Sequence, residues 1–452
     1  MAFRSCFPHI LPHLTPFPPR LSDMIAPPTP LNTLPHTTLA YKTISEGLDI
    51  HIDVWAPPKS AYQDGHGTLT PRSAFVYFHG GGLAVGAREV WVPEWLFSES
   101  YWLYFRTRSH LVSDALHFVC GDRLTSRGYL FISADYRLVP PSTGYDILED
   151  VKALWAYITA RGFSITFPPG DESVTLEVDP NAIAVGGSSA GGFLTYLAAM
   201  HCRSPRPAAI AEIYGLCGQI FSSYYLSPKT QPFKFSFKSL NLDDFKDFVY
   251  PFPMGPPPAV ARSLPEYAGE DHPLGPEYPA NPRMQLIWLY GQHGVALDYI
   301  TGQHEPSFSE LLRDRLGLGE KRRTVVEDVV LADIQKQREV IEELAGKPEE
   351  RHLKMLFAQF NVDKSWPPAV FLHGTGDTGL PIQDSEHMFG LLKEHGIPTE
   401  LYSIEREEHA FDYGCDAEEK WGQVGGEFDK VVEFVDRYTG RGRDKYTTLS
   451  SC

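Results

Sequence analysis

Seven short apolar runs punctuate the chain: LDIHIDVW (48–55), SAFVYFH (73–79), YLFISADY (129–136), AIAVGG (182–187), AAIAEIYG (208–215), PAVFLHG (368–374) and TELYSIE (399–405). Most are nearly unbroken and rich in β-branched or aromatic residues, the pattern of strands buried on both faces. Between them apolar residues return at helical spacing. Ile147, Val151, Leu154 and Ile158 fall at i, i+4, i+7 and i+11, Gly191 to Cys202 is a run of small and apolar residues, and Phe428, Val431, Val435 and Tyr438 form a third stripe. Strands alternating with helices predict an α/β fold, a mostly parallel central sheet with helices on both faces, built from residues 40–216 and 366–439.

Two segments break that rhythm. From 217 to 365 the chain is Pro-rich and aromatic up to about 290, then charged, with Val325, Val326, Val329, Ile334, Ile341 and Leu344 as the apolar positions of TVVEDVVLADIQKQREVIEELAG. So long a loop inside a compact domain is implausible, so the segment reads as an inserted, mainly helical cap. Its repeat is short and irregular, which favours packing on its own domain over a coiled coil. The second interruption is SESYWLYFRTRSHLVSDALHFVCG (98–121). Without it, WLF would run directly into DRLTSRGYLFISADYR, a natural amphipathic connection, and one hypothesis is that the stretch is a gene-model or splicing artefact. An abundant in-frame transcript containing it would remove that idea. Residues 1–39 read as a flexible leader and 440–452 as a tail. Prolines at 8, 12, 16, 18 and 19 break the helix that the apolar core of a secretion signal requires.

Composition narrows the partners. The 452 residues are 42% hydrophobic and 21% charged, and no run reaches the roughly 18 apolar residues of a membrane span. A formal charge of −17 disfavours nucleic acid and anionic membrane surfaces, which need a basic face. The compact basic run Lys321-Arg322-Arg323 reads as a solvated helix face. Six cysteines (Cys6, Cys120, Cys202, Cys217, Cys415, Cys452) form no metal-ligand spacing, which fits a reducing, cytoplasmic setting. No metal site is expected.

The candidate chemistry begins at AVGGSSAGG (184–192). A strand, two serines and a small-residue helix form the strand–turn–helix context of the G-x-S-x-G elbow. Residues two before and two after the serine must be small there, because the turn is tight. Ser189 has Gly187 and Gly191 at those positions, whereas Ser188 has Gly186 and Ala190, so Ser189 is the candidate nucleophile. Upstream, the strand SAFVYFH runs into His79-Gly80-Gly81-Gly82, and amides of a glycine triplet can meet a developing oxyanion without side-chain obstruction. No phosphate-binding motif follows the glycines. His79 reads as an anchor of loop shape. Downstream, TGDTGLP puts Asp377 just past one strand and EREEHAF puts His409 after the next, giving the chain order Ser, acid, His. His409 would move the proton and Asp377 would orient it. Among rival bases, His373 lies at a strand end with no acid expected to orient it, and His387 and His395 fall on a predicted helix. Glu407 and Glu408 read as solvated.

With HGGG followed by ADYRLVPP, LEDVKALWAYI, GGSSAGG, HGTGDTGLP and EHAF, the sequence resembles the α/β-hydrolase superfamily, in particular its hormone-sensitive-lipase-like esterase group. The resemblance covers roughly 40–215 and 366–438 and leaves the cap and 98–121 unmatched. It implies the α/β-hydrolase fold and a cofactor-free Ser-His-Asp hydrolase of carboxylic esters. The oxyanion donors would come from Gly81, Gly82 and Ala190, with Gly80 a further candidate. Independently of the resemblance, the aromatic, Pro-rich stretches FKFSFKSL, FVYPFPMG and YGQHGVALDYI of the cap read as a cover for a small ester with an apolar acyl or aromatic group. Asp135, Tyr136 and Arg137 match a structural segment of the family. At Ser188 the family usually has aspartate, the one departure in the elbow. An amidase, formamidase or peptidase would use the same three residues, and a binding protein on this fold would be expected to lack one of them. Acyl length, physiological substrate and oligomeric state are not legible.

Overall fold

In Arg72–Phe78 every residue is buried, and successive side chains divide between two cores. Ala74, Val76 and Phe78 face one layer of helices, whereas Phe75 and Tyr77 face the other. This is the two-residue period of a strand covered on both sides. The computed structural model describes residues 36–44, 47–58, 71–97, 123–167, 174–236, 238–275, 278–318, 334–345, 353–414 and 416–440.

Among these residues the strands are β1 (His36–Thr43), β2 (Asp49–Trp55), β3 (Arg72–Phe78), β4 (Leu130–Ala134), β5 (Ser164–Phe167), β6 (Val174–Ser188), β7 (Ile210–Ile213), β8 (Ala369–Gly374) and β9 (Thr399–Ile404). They lie in the order β1-β2-β4-β3-β6-β7-β8-β9, with β5 hairpinned onto the first half of β6. From β4 to β9 neighbours on this path are parallel, and β1 and β2 add an antiparallel edge. Residues 36–39, read as the end of a leader, belong to β1, while 1–35 lie outside the described residues. His36 to Leu39 already pair with Trp55 to Ile52, and the Thr-rich, half-exposed sequence of this edge strand carries no apolar run to announce it. β5 and the start of β6 escaped notice for the same reason, since their burial alternates instead of running unbroken.

The helices are α1 (Glu94–Phe97), α2 (Gly144–Ile158), α3 (Ala190–His201), α4 (Ser223–Leu226), α5 (Leu286–His293), α6 (Ala296–Thr301), α7 (Phe308–Leu316), α8 (Ile334–Ala345), α9 (Gln383–Glu394), α10 (Ala417–Trp421) and α11 (Glu427–Tyr438). A capping box starts α2, where the Thr143 amide donates to Asp146 Oδ2 at 2.8 Å, and its expected stripe of Ile147, Val151, Leu154 and Ile158 is buried. On the opposite face Phe428, Val431 and Val435 of α11 pack under the sheet with Trp95 and Phe131. Between β7 and β8 the described residues form helices and turns but no strand. Val340, Ile341 and Leu344 of α8 are buried in the main core, each such side chain contributing about 1.5–3 kcal/mol. Val325, Val326 and Val329 lie outside the described residues, as do most of the tail and the stretch 98–121. The described residues on either side of that stretch meet: the Thr125 amide and hydroxyl both donate to Phe97 O, at 3.2 and 2.7 Å.

The DYR segment ties the sheet to its loops. Arg88 donates to Asp135 from its amide, at 2.8 Å, and from its guanidinium, at 2.5 Å. Arg137 donates to Asp146 and Asp150, and Lys42 reaches Asp150 from β1. Among the described residues no helix is long and apolar enough to cross a membrane, and no cluster of three or more His, Cys, Asp or Glu could hold a metal.

Candidate active site

The parallel strands β3, β6, β8 and β9 end along one edge, and the loops leaving them carry the candidate groups. Ser189 sits between the end of β6 and the start of α3 at φ 52° and ψ −118°. A positive φ in a side-chain-bearing residue costs about 1–3 kcal/mol and must be enforced by its surroundings. The Ser189 amide donates to Ile213 O at 2.9 Å, and Ser189 O accepts from Gly192 and Leu216 at 3.0 and 2.8 Å. Small neighbours are compulsory: a Cβ on Gly191 would overlap the Phe78 carbonyl, and one on Gly187 would come within 2.5 Å of the Gly191 backbone.

Ser189 Oγ lies 3.0 Å from His409 Nε2, and His409 Nδ1 lies 2.7 Å from Asp377 Oδ2. Asp377 Oδ1 accepts from the amides of Gly379 and Leu380 at 2.8 and 2.7 Å. Burial pushes this carboxyl up, but His409 and the hydrogen bonds outweigh it and hold Asp377 down at about 2. It is therefore ionised at neutral pH and accepts from Nδ1–H, which leaves the Nε2 lone pair facing the serine hydroxyl. The Tyr214 ring meets the imidazole edge-on, with centroids 4.8 Å apart.

Gly80, Gly81, Gly82 and Ala190 line the cavity that Ser189 and His409 open into. Gly81 and Gly82 have φ of 99° and 61°, a conformation that favours glycine. Beneath them His79 is fully buried, its Nδ1 2.8 Å from Gly80 O and its ring stacked on Tyr136 at 4.4 Å. Burial pushes His79 down to about 4, so it is neutral and donates from Nδ1. The Tyr136 hydroxyl donates to His79 O at 2.9 Å, which gives the DYR tyrosine a hold on the glycine loop. At Ser188, Oγ pairs with the Tyr77 hydroxyl at 2.6 Å, and Tyr77 and Tyr413 both donate to Trp91 O at 2.7 Å.

The cavity, about 170 Å³, is roofed by residues from the segment between β7 and β8, chiefly Phe233, Phe235, Met284, Ile287 and Trp288. Phe235 stacks on Trp288 at 5.6 Å and approaches His409 edge-on at 6.1 Å. Among the described residues no Asp, Glu, Lys or Arg lines this cavity. The Tyr214, Tyr224 and Tyr225 hydroxyls are engaged by Asp412, Gly379 O and Asp384, so these residues offer ring faces.

Two expectations from the sequence are corrected. His373 does have an acid: its Nε2 lies 3.2 Å from Asp377 Oδ2, because the loop after β8 folds the aspartate back over the strand end. Glu408 is not simply solvated. It accepts from Lys234 at 2.7 Å and from the Thr378 amide and hydroxyl, tying the roof to the loops of Asp377 and His409. The remaining rival histidines stand apart from Ser189. Burial pushes His387 down to about 4, and His395 Nδ1 lies 2.8 Å from Leu391 O. Glu212, fully buried on β7, drew no attention in the sequence because it sits inside an apolar run.

Residues 104–235 match a family model described as the alpha/beta hydrolase fold. The match takes in most of 98–121 and the first part of 217–365, both of which the motif-based resemblance left out. The chain is 29% identical over 148 residues to the probable carboxylesterase M8 of Phoma sp., covering 29% of this chain and 37% of that protein. It is 24% identical over 408 residues to the non-reducing polyketide synthase pkbA of Emericella nidulans, covering 86% of this chain and 14% of that one. A thermophilic esterase structure from Thermogutta terrifontis aligns with a TM-score of 0.43 at 17% identity, covering 89% of this chain and 91% of that one.

Proposed function

We propose that this chain, a member of the α/β-hydrolase superfamily, is a serine hydrolase that cleaves carboxylic esters through an acyl-enzyme. The observation that carries the reading is the unbroken row from Ser189 Oγ to His409 Nε2 at 3.0 Å and from His409 Nδ1 to Asp377 Oδ2 at 2.7 Å. His409 takes the proton of Ser189 as the oxygen attacks the ester carbonyl. The amides of Gly81, Gly82 and Ala190, with Gly80 beside them, receive the oxyanion. Protonated His409 then delivers its proton to the leaving alcohol, and Asp377 stabilises the cation in the interval. Water, activated by the same imidazole, attacks the acyl-Ser189 carbonyl and restores the free serine.

The uncharged, aromatic lining supports a neutral ester whose acyl or alcohol part is apolar, since a charged substrate would enter without a partner. Similarity to a probable carboxylesterase points the same way. Cys202 and Cys217 are free and buried, which suits a reducing, cytoplasmic setting. Labelling with a fluorophosphonate, mapped by mass spectrometry, tests the reading. The expected result is a single labelled serine at 189, hydrolysis of p-nitrophenyl acetate and butyrate in preference to the matching anilides, and a loss of about 10⁴-fold or more in Ser189→Ala. An unlabelled Ser189 in active-site-intact protein would overturn it, and faster anilide cleavage would reassign the protein as an amidase.

A further inference from the structure

Asp377 faces two imidazoles. Its Oδ2 is 2.7 Å from His409 Nδ1 and 3.2 Å from His373 Nε2. His373, near the end of β8, is fully buried, and its Nε2 also lies 3.1 Å from Leu380 O. Both neighbours of Nε2 only accept, so that nitrogen carries hydrogen. On the other side of the ring Nδ1 is 2.8 Å from Ser385 Oγ on α9, and Ser385 Oγ is 3.3 Å from Glu212 Oε2 on β7. The row Glu212, Ser385, His373, Asp377, His409, Ser189 thus runs from the middle of the sheet to the cavity.

Two proton arrangements satisfy every bond in the row. In one, protonated Glu212 donates to Ser385, whose hydroxyl donates to Nδ1 of neutral His373. In the other, cationic His373 donates from Nδ1 to Ser385, whose hydroxyl donates to ionised Glu212. They differ by a concerted shift of two protons and leave the net charge unchanged. Without the shared proton, two carboxylates would be buried in one row with no compensating cation. Burial pushes Glu212 up to about 7, and although burial alone pushes His373 down, Asp377 and Glu212 leave it raised. The other groups facing this imidazole are Asp384 on α9, which accepts from Gly218 N and the Tyr225 hydroxyl, and the Tyr214 ring at 6.5 Å.

We infer that His373 is a positioning residue: its Nε2–H holds the Asp377 carboxylate against His409, and the proton it shares with Glu212 through Ser385 offsets that carboxylate's charge. The inference rests on the serine-hydrolase reading for its kinetic consequence, not for its geometry. A carboxylate freed to swing by an ångström misorients the imidazole, a displacement that can cost about 10²-fold in rate.

The test compares full-length wild type, His373→Leu and His373→Gln by p-nitrophenyl butyrate kinetics across pH, thermal unfolding and the far-downfield proton resonance of His409 Nδ1–H. His373→Leu is expected to lower kcat about 10²-fold with KM within about threefold. The acid limb of its kcat/KM profile moves to higher pH, because Asp377 then bears on His409 alone. His373→Gln, whose amide can still donate to Oδ2, recovers about tenfold of the rate and keeps the downfield resonance, but it cannot carry the second proton and its acid limb still moves. If the leucine variant unfolds, the glutamine variant decides through that limb. Wild-type kcat and an unmoved limb in a folded variant overturn the inference while leaving the esterase reading intact. If wild type neither labels nor hydrolyses, the esterase reading fails, and a downfield resonance identical in all three proteins overturns the positioning role independently.

Discussion

The floor and the roof of the cavity are built by different means. The floor consists of loops leaving β3, β6, β8 and β9, where Ser189, Asp377 and His409 are fixed by hydrogen bonds to one another and to neighbouring backbone groups. The roof, from Phe233 to Trp288, is held by ring contacts and short helices. On the proposed reading, chemistry and selectivity are thereby separated along the chain and meet at a few points. Arg283 of the roof donates to Ala84 O, Val139 O and Pro140 O, and burial lowers its pKa only to about 10, so it stays a cation clamped on the glycine loop. One turn later Ile287 rests on Gly82, where any added Cβ would overlap its side chain.

The sharpest way to break the separation is therefore at Gly82. Gly82→Ala combines a φ of 61° with the collision against Ile287. It is expected to lower kcat about 10²- to 10³-fold, the scale of a lost oxyanion donor. Adding Ile287→Ala relieves the collision but not the backbone strain, so a double-mutant cycle should show partial recovery. Full additivity would mean that the roof does not bear on the glycine loop. The roof alone is probed by Trp288→Ala, which removes half of the Phe235 stack without touching Ser189 or His409. KM for the butyrate ester should rise about tenfold with kcat within about threefold, the signature of lost uniform binding. A fall in kcat with unchanged KM would assign Trp288 to the floor's work.

The same division explains what the sequence could tell. All seven strands read from apolar runs are present, and all but the half-exposed edge strand β9 are buried along most of their length, which keeps them from hiding their composition. β1, β5 and the start of β6, half-exposed at the edge, could hide theirs. That Ser189, Asp377 and His409 come together was legible because small residues and strand ends mark their positions. The second imidazole at Asp377 was not, since a loop's return path has no period, although the His-x₃-Asp spacing of His373 and Asp377 was a signal in plain view. The roof was legible as a Pro-rich, aromatic stretch covering the substrate, but not residue by residue. Helices of four to nine residues separated by turns, such as α4, α5 and α6, do not establish a stripe from which a lining face can be read.

Acid–base behaviour gives a smaller effect that again divides the regions. Glu212 and Asp384, fully buried under the floor, are both pushed up to about 7 by burial. A carboxyl raised in the folded state stabilises fully below its unfolded pKa, and that contribution is lost as pH rises through the folded value. Thermal stability should accordingly fall between about pH 4.5 and about pH 7. Asp377, held at about 2, has the opposite sign: its contribution is present above the unfolded value near 3.8 and is lost only as pH falls toward 2. Glu212→Gln should flatten the decline between pH 4.5 and 7, read as Tm against pH, and an unchanged slope would place the titrating proton elsewhere.

The smallest expected effect is at 98–121. Thr125 N donates to Phe97 O at 3.2 Å, and Arg127 N donates to Arg123 O at 2.9 Å. Joining Phe97 directly to residue 122 would make Thr125 the fourth residue after Phe97, so the first of these bonds would acquire the spacing of an α-helix. The flanking Trp95, Leu96, Phe97 and Leu124 are already buried in one cluster with Phe131 and Phe428. Continuing α1 through residue 127 would therefore need no repacking. Deletion of 98–121 is expected to leave Tm within a few degrees and fluorophosphonate labelling of Ser189 unchanged, since closing a shorter loop costs less entropy and the described members of that cluster all stay in the chain. A deletion variant that fails to fold would show that these 24 residues carry packing of their own, and the helix-continuing bond at Phe97 would then be a coincidence of loop closure.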